Sequence, residues 1–334
     1  MKILLTGSSG FIGSRLVKSL RESHEVFGVD IKRAETTSYQ IDLTLDNSRK
    51  YLSNMIKEKE ISFVIHLAAL IDVAEGELYP LRYWNTNVKG TYNVISAMKD
   101  SGISKIIFFS SAAVYKGINS TDQYLTENSP LDPISVYGRS KLEAESLLLE
   151  SSLDFVILRL PNVAGGKELY IRHLIPLVFE KLSRNESPLI FGNTHPTFDG
   201  TCIRDYLHVD DVVQLIHIFL KGWNSKKHQI YNTGASMSYS VKQVMDKMRE
   251  FWRRKTGVVI SPTIVKARKG DPPILTLSSN RLFNDLGWSN NKTLEDIISQ
   301  TYFEMFLENN VKEDEPPLQW TTWRLKKTKT ELTT

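Results

Sequence analysis

The sequence contains a single cysteine, Cys202, among 334 residues. One cysteine excludes an intrachain disulfide, and the sequence also lacks the paired Cys and His spacing of a zinc site. Its apolar runs are shorter than the roughly 18 residues that a membrane-spanning helix needs. The N-terminus does not resemble a signal peptide. We therefore expect a cytoplasmic protein with no bound metal and no membrane partner.

A strong charge of either sign is also missing, because 42 Lys and Arg residues and 38 Asp and Glu residues leave a net charge of +4. This excess is too small to predict binding to nucleic acid. The most basic run lies in a polar C-terminal tail, residues 316–334, which we interpret as a solvated end. The length and the 41% hydrophobic content are sufficient for a large core divided between two domains.

Three glycines follow the first apolar run at Gly7, Gly10 and Gly13, directly before a predicted helix. This spacing allows a tight turn, close approach of the backbone to a pyrophosphate, and close packing of the helix on the strand. The helix N-terminus adds free N–H groups and a positive dipole end. Asp30 ends the second predicted strand and is placed to accept hydrogen bonds from the adenosine ribose, which favours NAD over NADP. Two basic residues that follow it leave NADP open, and a simple loop carboxylate is the alternative for Asp30.

Predicted strands and helices alternate from residue 3 to about residue 158, which is typical of a parallel, doubly wound sheet. The predicted fold is α/β, a Rossmann-type sheet with a smaller C-terminal α/β substrate-binding domain. We place the NAD-binding domain at residues 1–165, with a later segment near 206–236. Residues 166–315 then form mainly the substrate-binding domain.

A tyrosine and a lysine lie four residues apart, at Tyr137 and Lys141, on a predicted helix. Residues with this spacing share one helix face, so the ammonium can favour the phenolate and make the tyrosine a general base. The alternative is an ordinary exposed helix face. Ser111 ends a neighbouring predicted strand, where ligands bind in such sheets. His66, in an apolar strand, is predicted to be a hydrogen-bonded core histidine.

These residues, together with the run from Asp199 to Val209, resemble the extended short-chain dehydrogenase/reductase family. Within that family they are similar to UDP-glucose 4-epimerases and their relatives that act on UDP-N-acetylhexosamines. The resemblance implies that Tyr137 is the base and acid at the sugar O4 and that Ser111 hydrogen-bonds this oxygen. It also implies that Lys141 lowers the pKa of Tyr137 and binds the nicotinamide ribose.

The resemblance further implies which residues bind the cofactor and the substrate. Cofactor contacts are expected, besides Tyr137 and Lys141, from Gly7, Gly10, Phe11, Ile12, Gly13, Asp30, Asp42, Leu43, Leu67, Ala68, Ala69, Asn87 and Pro161. Substrate contacts are expected from Ser111, Asn162, His173, Phe191, Arg204, Arg268 and Asp271. For any one of the arginines, the alternative is a surface ion pair.

The implied activity is NAD-dependent 4-epimerisation of a UDP-hexose through a transient 4-keto sugar, in a homodimer paired through helices near 81–98 and 136–150. Ala112 and Ala113 replace the carboxylates of related dehydratases and decarboxylases, which argues for epimerisation. Leu275 stands near a position where a tyrosine excludes N-acetylated sugars, so the preferred sugar stays open. The alternatives are another sugar-nucleotide oxidoreductase or epimerase of the same family, or a catalytically silent NAD-binding regulator.

Overall fold

The structure is a computed structural model that describes residues 1–167, 173–223, 228–235, 237–268 and 271–307. The predicted polar tail and most of the loop that leads to His173 lie outside these residues. The strands are β1 (Lys2–Thr6), β2 (Glu25–Asp30), β3 (Tyr39–Gln40), β4 (Phe63–His66), β5 (Lys105–Ser111), β6 (Asp154–Leu160), β7 (Asn162–Ala164), β8 (Leu189–Phe191), β9 (Ile203–His208), β10 (Gln229–Asn232), β11 (Ser238–Ser240), β12 (Thr263–Val265) and β13 (Ile274–Leu275).

The helices are likewise numbered along the chain. They are α1 (Phe11–Leu20), α2 (Ser48–Glu58), α3 (Val73–Leu78), α4 (Pro80–Tyr83), α5 (Gly90–Ser101), α6 (Val136–Leu149), α7 (Leu174–Ser183), α8 (Val209–Lys221), α9 (Val241–Thr256), α10 (Asn280–Leu286) and α11 (Leu294–Phe306). A π-helical segment, Trp84–Lys89, joins α4 to α5, and a short 3₁₀ turn, Ala112–Val114, follows β5. None of the helices in the described ranges has the length and apolar character required to cross a membrane.

A parallel sheet of seven strands, in the order β10-β6-β5-β4-β1-β2-β3, forms the first lobe. The middle of each central strand is apolar and buried, because helices cover both faces of the sheet. Leu16 of α1 and Val212 of α8 belong to the core on one face, and Val94 of α5 and Ala144 of α6 to the core on the other. The prediction of a Rossmann-type doubly wound sheet is confirmed.

The strand order reverses between β1 and β4, which lie side by side in the sheet. In an open α/β sheet, ligands bind at such a reversal, beyond the carboxyl ends of the strands. The glycine turn that starts at Gly7 and the segment that starts at Leu67 follow these two strand ends. The topology therefore places both predicted cofactor segments at one crevice.

The second lobe contains a small sheet of β11, β9, β13 and β7 and a two-stranded sheet of β8 and β12. Helices α7, α9 and α11 pack together around Phe179, Trp252 and Tyr302. The two lobes meet where Arg15 of α1 pairs with Glu304 of α11 at 2.5 Å. Strand β9 continues into α8, which packs on the first lobe, so the chain then returns to the large sheet through β10.

The sequence predicted one helix over residues 81–98, but the structure divides it. Pro80 stands at the first helical position of α4, and a π-helical segment containing Asn87 interrupts the helix before α5. The Asn87 side chain leaves the helix to bond the backbone of Leu70 and the hydroxyl of Ser140. A π-helical turn of this kind is common at functional sites and has no signature in the apolar periodicity.

Candidate active site

The turn after β1 is closely packed because it contains glycine. Gly7 has φ +75°, and a Cβ there would lie 2.8 Å from the backbone nitrogen of Ala68. A Cβ on Gly13 would lie 2.0 Å from the carbonyl oxygen of Gly7. Gly10 precedes α1, which begins at Phe11, and has no side chain to cap the first helical turn. The N–H groups of Gly7, Ser8, Ser9 and Gly10 bond to protein oxygens, so it is the first turn of α1 that can offer N–H groups to an anion at the crevice.

Asp30 fixes the glycine turn against the end of β2. One of its carboxylate oxygens accepts a hydrogen bond from the Ser9 N–H at 2.9 Å, and the other accepts from the Lys32 N–H at 3.0 Å. Each ionised carboxylate oxygen has two acceptor positions, so both can still accept from a ribose hydroxyl. The N–H groups of the first turn of α1 and the acceptors of Asp30 fit the pyrophosphate and ribose of a dinucleotide.

The remaining predicted cofactor residues differ in exposure and bonding. Leu67, Ala68 and Ala69 are half-buried behind β4, and Ile12 and Phe11 are half-buried in the first turn of α1.

Asp42 accepts hydrogen bonds from the backbone and side chain of Thr44, while Leu43 is buried. Asn87 is also buried, and its side-chain bonds go to protein groups. These bonds support the crevice wall, and the contact of Asn87 with the cofactor stays a prediction.

His66 is hydrogen-bonded through both ring nitrogens, as predicted for a core histidine. Its Nδ1 lies 2.5 Å from the Thr6 hydroxyl, and its Nε2 lies 2.9 Å from the Thr91 hydroxyl. Because the Thr91 hydroxyl donates to the Asn87 carbonyl, Nε2 is the protonated nitrogen. Burial, and to a smaller extent the charge of Lys141, lower the pKa of His66 to about 3, so the ring is neutral.

Ser111, Tyr137 and Lys141 lie near the crevice wall that contains Asn87. Ser111 ends β5, and its hydroxyl is hydrogen-bonded to the Tyr137 phenol. Ser135 caps α6 by accepting from the Gly138 N–H at 3.0 Å, which sets the helix start at Val136, one residue before Tyr137. Lys141 is 2% exposed, and its ammonium lies 4.2 Å from the centroid of the Phe108 ring. The predicted catalytic residues are therefore close together.

The protein groups around Tyr137 do not lower its pKa, contrary to the prediction from the resemblance. Burial raises the pKa of the phenol, and the hydrogen bond from Ser111 opposes this rise. Burial lowers the pKa of Lys141 to about 7, with Glu145 opposing that change. Desolvation of both groups outweighs the spacing argument, which considered only the attraction between opposite charges.

A buried polar cluster behind these residues was missed by the sequence reasoning. Glu145 and Arg159 are completely enclosed and form an ion pair at 2.7 Å. The Ser110 hydroxyl donates to Glu145, and Arg159 also donates to the Tyr115 phenol at 2.7 Å. The signals available were an acidic residue eight positions after Tyr137 and an arginine inside the apolar strand β6.

Most of the predicted substrate residues fall in the second lobe, in two small clusters. Arg204 of β9 donates to the Asp271 carboxylate at 2.8 Å. The exposed Arg268 guanidinium lies 3.9 Å from the centroid of the Phe191 ring. Arg204, Asp271 and Arg268 all act electrostatically on the buried thiol of Cys202, so the two clusters are neighbours. This cationic region with an aromatic ring suits a nucleoside diphosphate.

The other predicted substrate residues lie on the connections between the lobes. Asn162 is exposed just after Pro161 and β6, and its amide donates to the Asp205 carbonyl at 3.4 Å. His173 is half-buried and immediately precedes α7.

Asp205 itself is completely buried beside Arg204, and its carboxylate accepts from the Leu277 N–H at 2.7 Å. Burial raises its pKa to about 7, and the bond from Leu277 opposes this rise.

Comparison with known proteins identifies the class to which this fold and crevice belong. Residues 3–234 match the model of the NAD dependent epimerase/dehydratase family. The chain therefore belongs to this family, as the sequence predicted.

Individual relatives and structures are similar over most of the chain. A UDP-glucose 4-epimerase of Corynebacterium glutamicum is 32% identical over 304 residues, covering 86% of this chain and 91% of the relative. A UDP-glucose 4-epimerase structure from Bifidobacterium longum, in complex with NAD+ and UDP, has a TM-score of 0.82 at 25% identity and covers 93% of this chain and 99% of its own. The UDP-Glc/GlcNAc 4-epimerase of Campylobacter jejuni has a TM-score of 0.76 at 30% identity, covering 91% and 98%.

Proposed function

We propose that this protein is an isomerase that catalyses NAD-dependent 4-epimerisation of a UDP-hexose. The observation that carries the proposal is the hydrogen bond between Ser111, at the end of β5, and Tyr137, one helical turn before Lys141. This arrangement supports an acid/base role for the phenol at the carboxyl ends of the strands, where the glycine turn also lies. The similarity to UDP-glucose 4-epimerases over most of the chain supports the same reaction.

The residues of the first lobe transfer the proton of the sugar O4. Tyr137 takes this proton and returns it, and Ser111 donates a hydrogen bond to the same oxygen. When the proton has left Tyr137, a protonated Lys141 one helical turn away would offset part of the desolvation that raises the pKa of the phenol. Bound NAD supplies reversible hydride transfer, so the protein catalyses no net oxidation.

The second lobe supplies the residues for the UDP part of the substrate. Arg204 and Arg268 offer planar guanidinium groups to the diphosphate, and Phe191 offers a ring face to the base. Asp271, Asn162 and His173 border the same region by resemblance. We propose that the seven-stranded sheet binds NAD and that this lobe mainly binds the UDP-sugar.

The 3₁₀ turn after Ser111 favours epimerisation over elimination. It consists of Ala112, Ala113 and Val114, with Ala112 and Val114 buried. These alanines offer no carboxyl group that could remove a proton from carbon or assist loss of carbon dioxide. The chemistry available at this end of β5 is therefore the hydroxyl of Ser111 and the phenol of Tyr137.

Proton NMR of the sugar tests the activity directly. The purified protein is incubated separately with UDP-glucose and UDP-N-acetylglucosamine, and the anomeric signals are followed to equilibrium. We expect at least one substrate to be converted to its C4 epimer without net formation of NADH. Leu275 is half-buried and in register with Arg204, and because its side chain is smaller than that of a tyrosine we propose that the N-acetylated sugar also fits. Stoichiometric consumption of NADH with a keto-sugar, and no epimer, would contradict the proposal.

We also propose that the protein is a homodimer. Apolar side chains on the surface of α3 to α5 are exposed, with Leu78 at 73%, Tyr79 at 58%, Leu81 at 78% and Tyr92 at 50%. This patch lies beside α6, because α3 and α4 both contact that helix. Light scattering after size exclusion should give a dimer that Leu81→Glu converts to a monomer. The matched substitution of another exposed apolar residue, Phe283→Glu on α10, should leave the dimer intact.

The location that we propose is the cytoplasm. Cys202 is buried and cannot form an intrachain disulfide, so the fold does not need an oxidising compartment. Cell fractionation with a marker enzyme tests this location.

A further inference from the structure

The ion pair between Glu145 and Arg159 is unusual because both side chains are enclosed. The exposed fractions of the two side chains are 0% and 2%. Removing two charges from water costs free energy that their attraction only partly returns, so such a pair is weak evidence for a stabilising role. The contacts of Glu145 indicate a role other than stability.

Glu145 joins helix α6 to two neighbouring strands of the sheet. Its carboxylate accepts from the Ser110 hydroxyl of β5 and from the Arg159 guanidinium of β6. Ser110 and Arg159 are direct partners in the strand register, so the carboxylate binds both strands at one level. Ser111, with its catalytic hydroxyl, is the next residue of β5.

The same helix carries the other two catalytic groups. Tyr137, Lys141 and Glu145 follow one another at intervals of four residues and therefore lie along one face of α6. The relative position of the Ser111 hydroxyl and the Tyr137 phenol depends on how α6 is held against β5. Glu145 provides a charged hydrogen-bonded connection between these two elements.

Glu145 also contributes to the electrostatics of Lys141. The titratable groups that act on this site are His66 from β4, Tyr137 and Glu145 from α6, and Arg159 from β6, while β5 contributes the Phe108 ring. His66 is neutral, and the acidic member of this set is Glu145. The negative charge of Glu145 raises the pKa of Lys141 against the effect of burial.

We propose that Glu145 is a positioning residue that holds Ser111, Tyr137 and Lys141 in register by bonding α6 to β5 and β6. The kinetic consequences of this role rest on the proposed epimerase function. The connection between the helix and the two strands rests on the geometry, and the electrostatic effect of Glu145 on Lys141 accompanies it.

Two substitutions separate the charge of Glu145 from its hydrogen bond to β5. Glu145→Gln keeps the shape and removes the charge, and Ser110→Ala removes one hydrogen bond and leaves the ion pair. We expect Glu145→Gln to lower kcat about tenfold or more with KM changed less than about twofold, because misplaced reacting groups slow the chemical step. The alkaline limb of the kcat profile should move to lower pH. Ser110→Ala should lower kcat without moving that limb.

A direct titration provides a readout that does not need turnover. The ¹³Cε signal of Lys141, assigned by its loss in Lys141→Met, is followed against pH in labelled protein. Glu145→Gln should shift this titration to lower pH, and Ser110→Ala should leave it unchanged. Glu143→Gln, an exposed acid two residues away on α6, is the matched control and should change neither the titration nor kcat.

The possible outcomes are distinct. A folded Glu145→Gln protein with unchanged kcat and an unchanged Lys141 titration overturns the proposal. If that variant does not fold, a Ser110→Ala protein with wild-type kcat overturns the positioning role. If the wild type epimerises no UDP-sugar, the proposed function fails, and a shifted Lys141 titration in Glu145→Gln still supports the electrostatic role.

Discussion

The two sides of the crevice are organised differently. On the side of α6 and β5, the polar groups are buried and bonded within one lobe, as with Ser110, Glu145 and Arg159. On the side of β9, Arg204 pairs with a partly exposed Asp271, and an exposed Arg268 covers the ring of Phe191. The contacts of the first side are complete without a ligand. On the second side, a diphosphate and a base can replace the contacts that the arginines and Phe191 make within the protein. We propose that the rigid region carries out the chemistry and that the adaptable region recognises the substrate.

The largest effect is expected from removing the reactive atom of the rigid side, the phenol oxygen of Tyr137. Tyr137→Phe removes the phenol oxygen that holds the proton and should lower kcat by about 10²- to 10⁴-fold. KM for the UDP-sugar should change less than about twofold, because the recognition side is untouched. Steady-state kinetics measure both values. Tyr51→Phe, on the exposed face of α2, is the control, and a Tyr137→Phe enzyme with more than a tenth of wild-type activity would contradict the assignment.

The opposite pattern is expected on the adaptable side. Arg204→Ala removes a charge-assisted hydrogen-bond donor worth about 1.5–3 kcal/mol, so KM should rise about 10- to 100-fold. The value of kcat should stay within about threefold of wild type, because the proton-transfer residues are intact. Arg253→Ala removes an equivalent exposed ion pair on α9 and should leave both constants unchanged. A fall in kcat at constant KM would erase the proposed difference between the two sides.

A smaller effect is expected where the cofactor meets the glycine turn. Asp30→Ala removes a carboxylate that repels a 2′-phosphate and accepts from ribose hydroxyls. Calorimetry should show NAD binding weakened about tenfold and the preference over NADP reduced. Asp30→Asn keeps an acceptor for the Ser9 N–H and serves as the matched variant. Equal discrimination against NADP in the wild type and in Asp30→Ala would remove Asp30 from cofactor selection.

The smallest effect on activity is expected from a substitution of Asp205, which should change the stability of the fold and not the recognition of the substrate. Its folded pKa of about 7 lies above the roughly 3.9 of an unfolded aspartate. The neutral form therefore stabilises the fold below pH 4, and this contribution is lost as the pH rises through 7. Asp205→Asn should raise Tm relative to wild type by about 2–4 °C for each kcal/mol gained in the free energy of unfolding. This rise in Tm should be larger at pH 8.5 than at pH 5.5. Thermal unfolding measures this difference, and a gap independent of pH would contradict the titration of Asp205.

The sequence predicted those features that depend on neighbouring residues. The glycine turn, the strand ending at Asp30 and the i to i+4 spacing of Tyr137 and Lys141 are local patterns with a physical meaning. The buried state of Lys141 depends on elements far apart in the chain, and with it the direction of the pKa shifts. The ion pair between Glu145 and Arg159 was missed for the same reason, since each residue alone is an ordinary charged side chain.

Short strands in the second lobe were also beyond prediction. β13 has two residues and is defined by its pairing with β9, which lies some 70 residues earlier in the chain. Strands of this length have no periodicity to detect, so tertiary contacts decide where they form. The π-helical turn that carries Asn87 belongs to the same category.

The position of β10 at the edge of the large sheet has a consequence for vectorial synthesis. Residues 1–160 leave the ribosome before β7, β8 and β9, and β10 follows all of them. Until residue 232 has emerged, Tyr115 lacks the Asn232 oxygen to which it donates, and the edge of β6 stays unpaired. An unpaired strand edge is prone to pairing with other chains. The nascent first lobe therefore depends on timely release of later sequence, and a fragment ending near residue 165 should aggregate instead of folding as an independent unit.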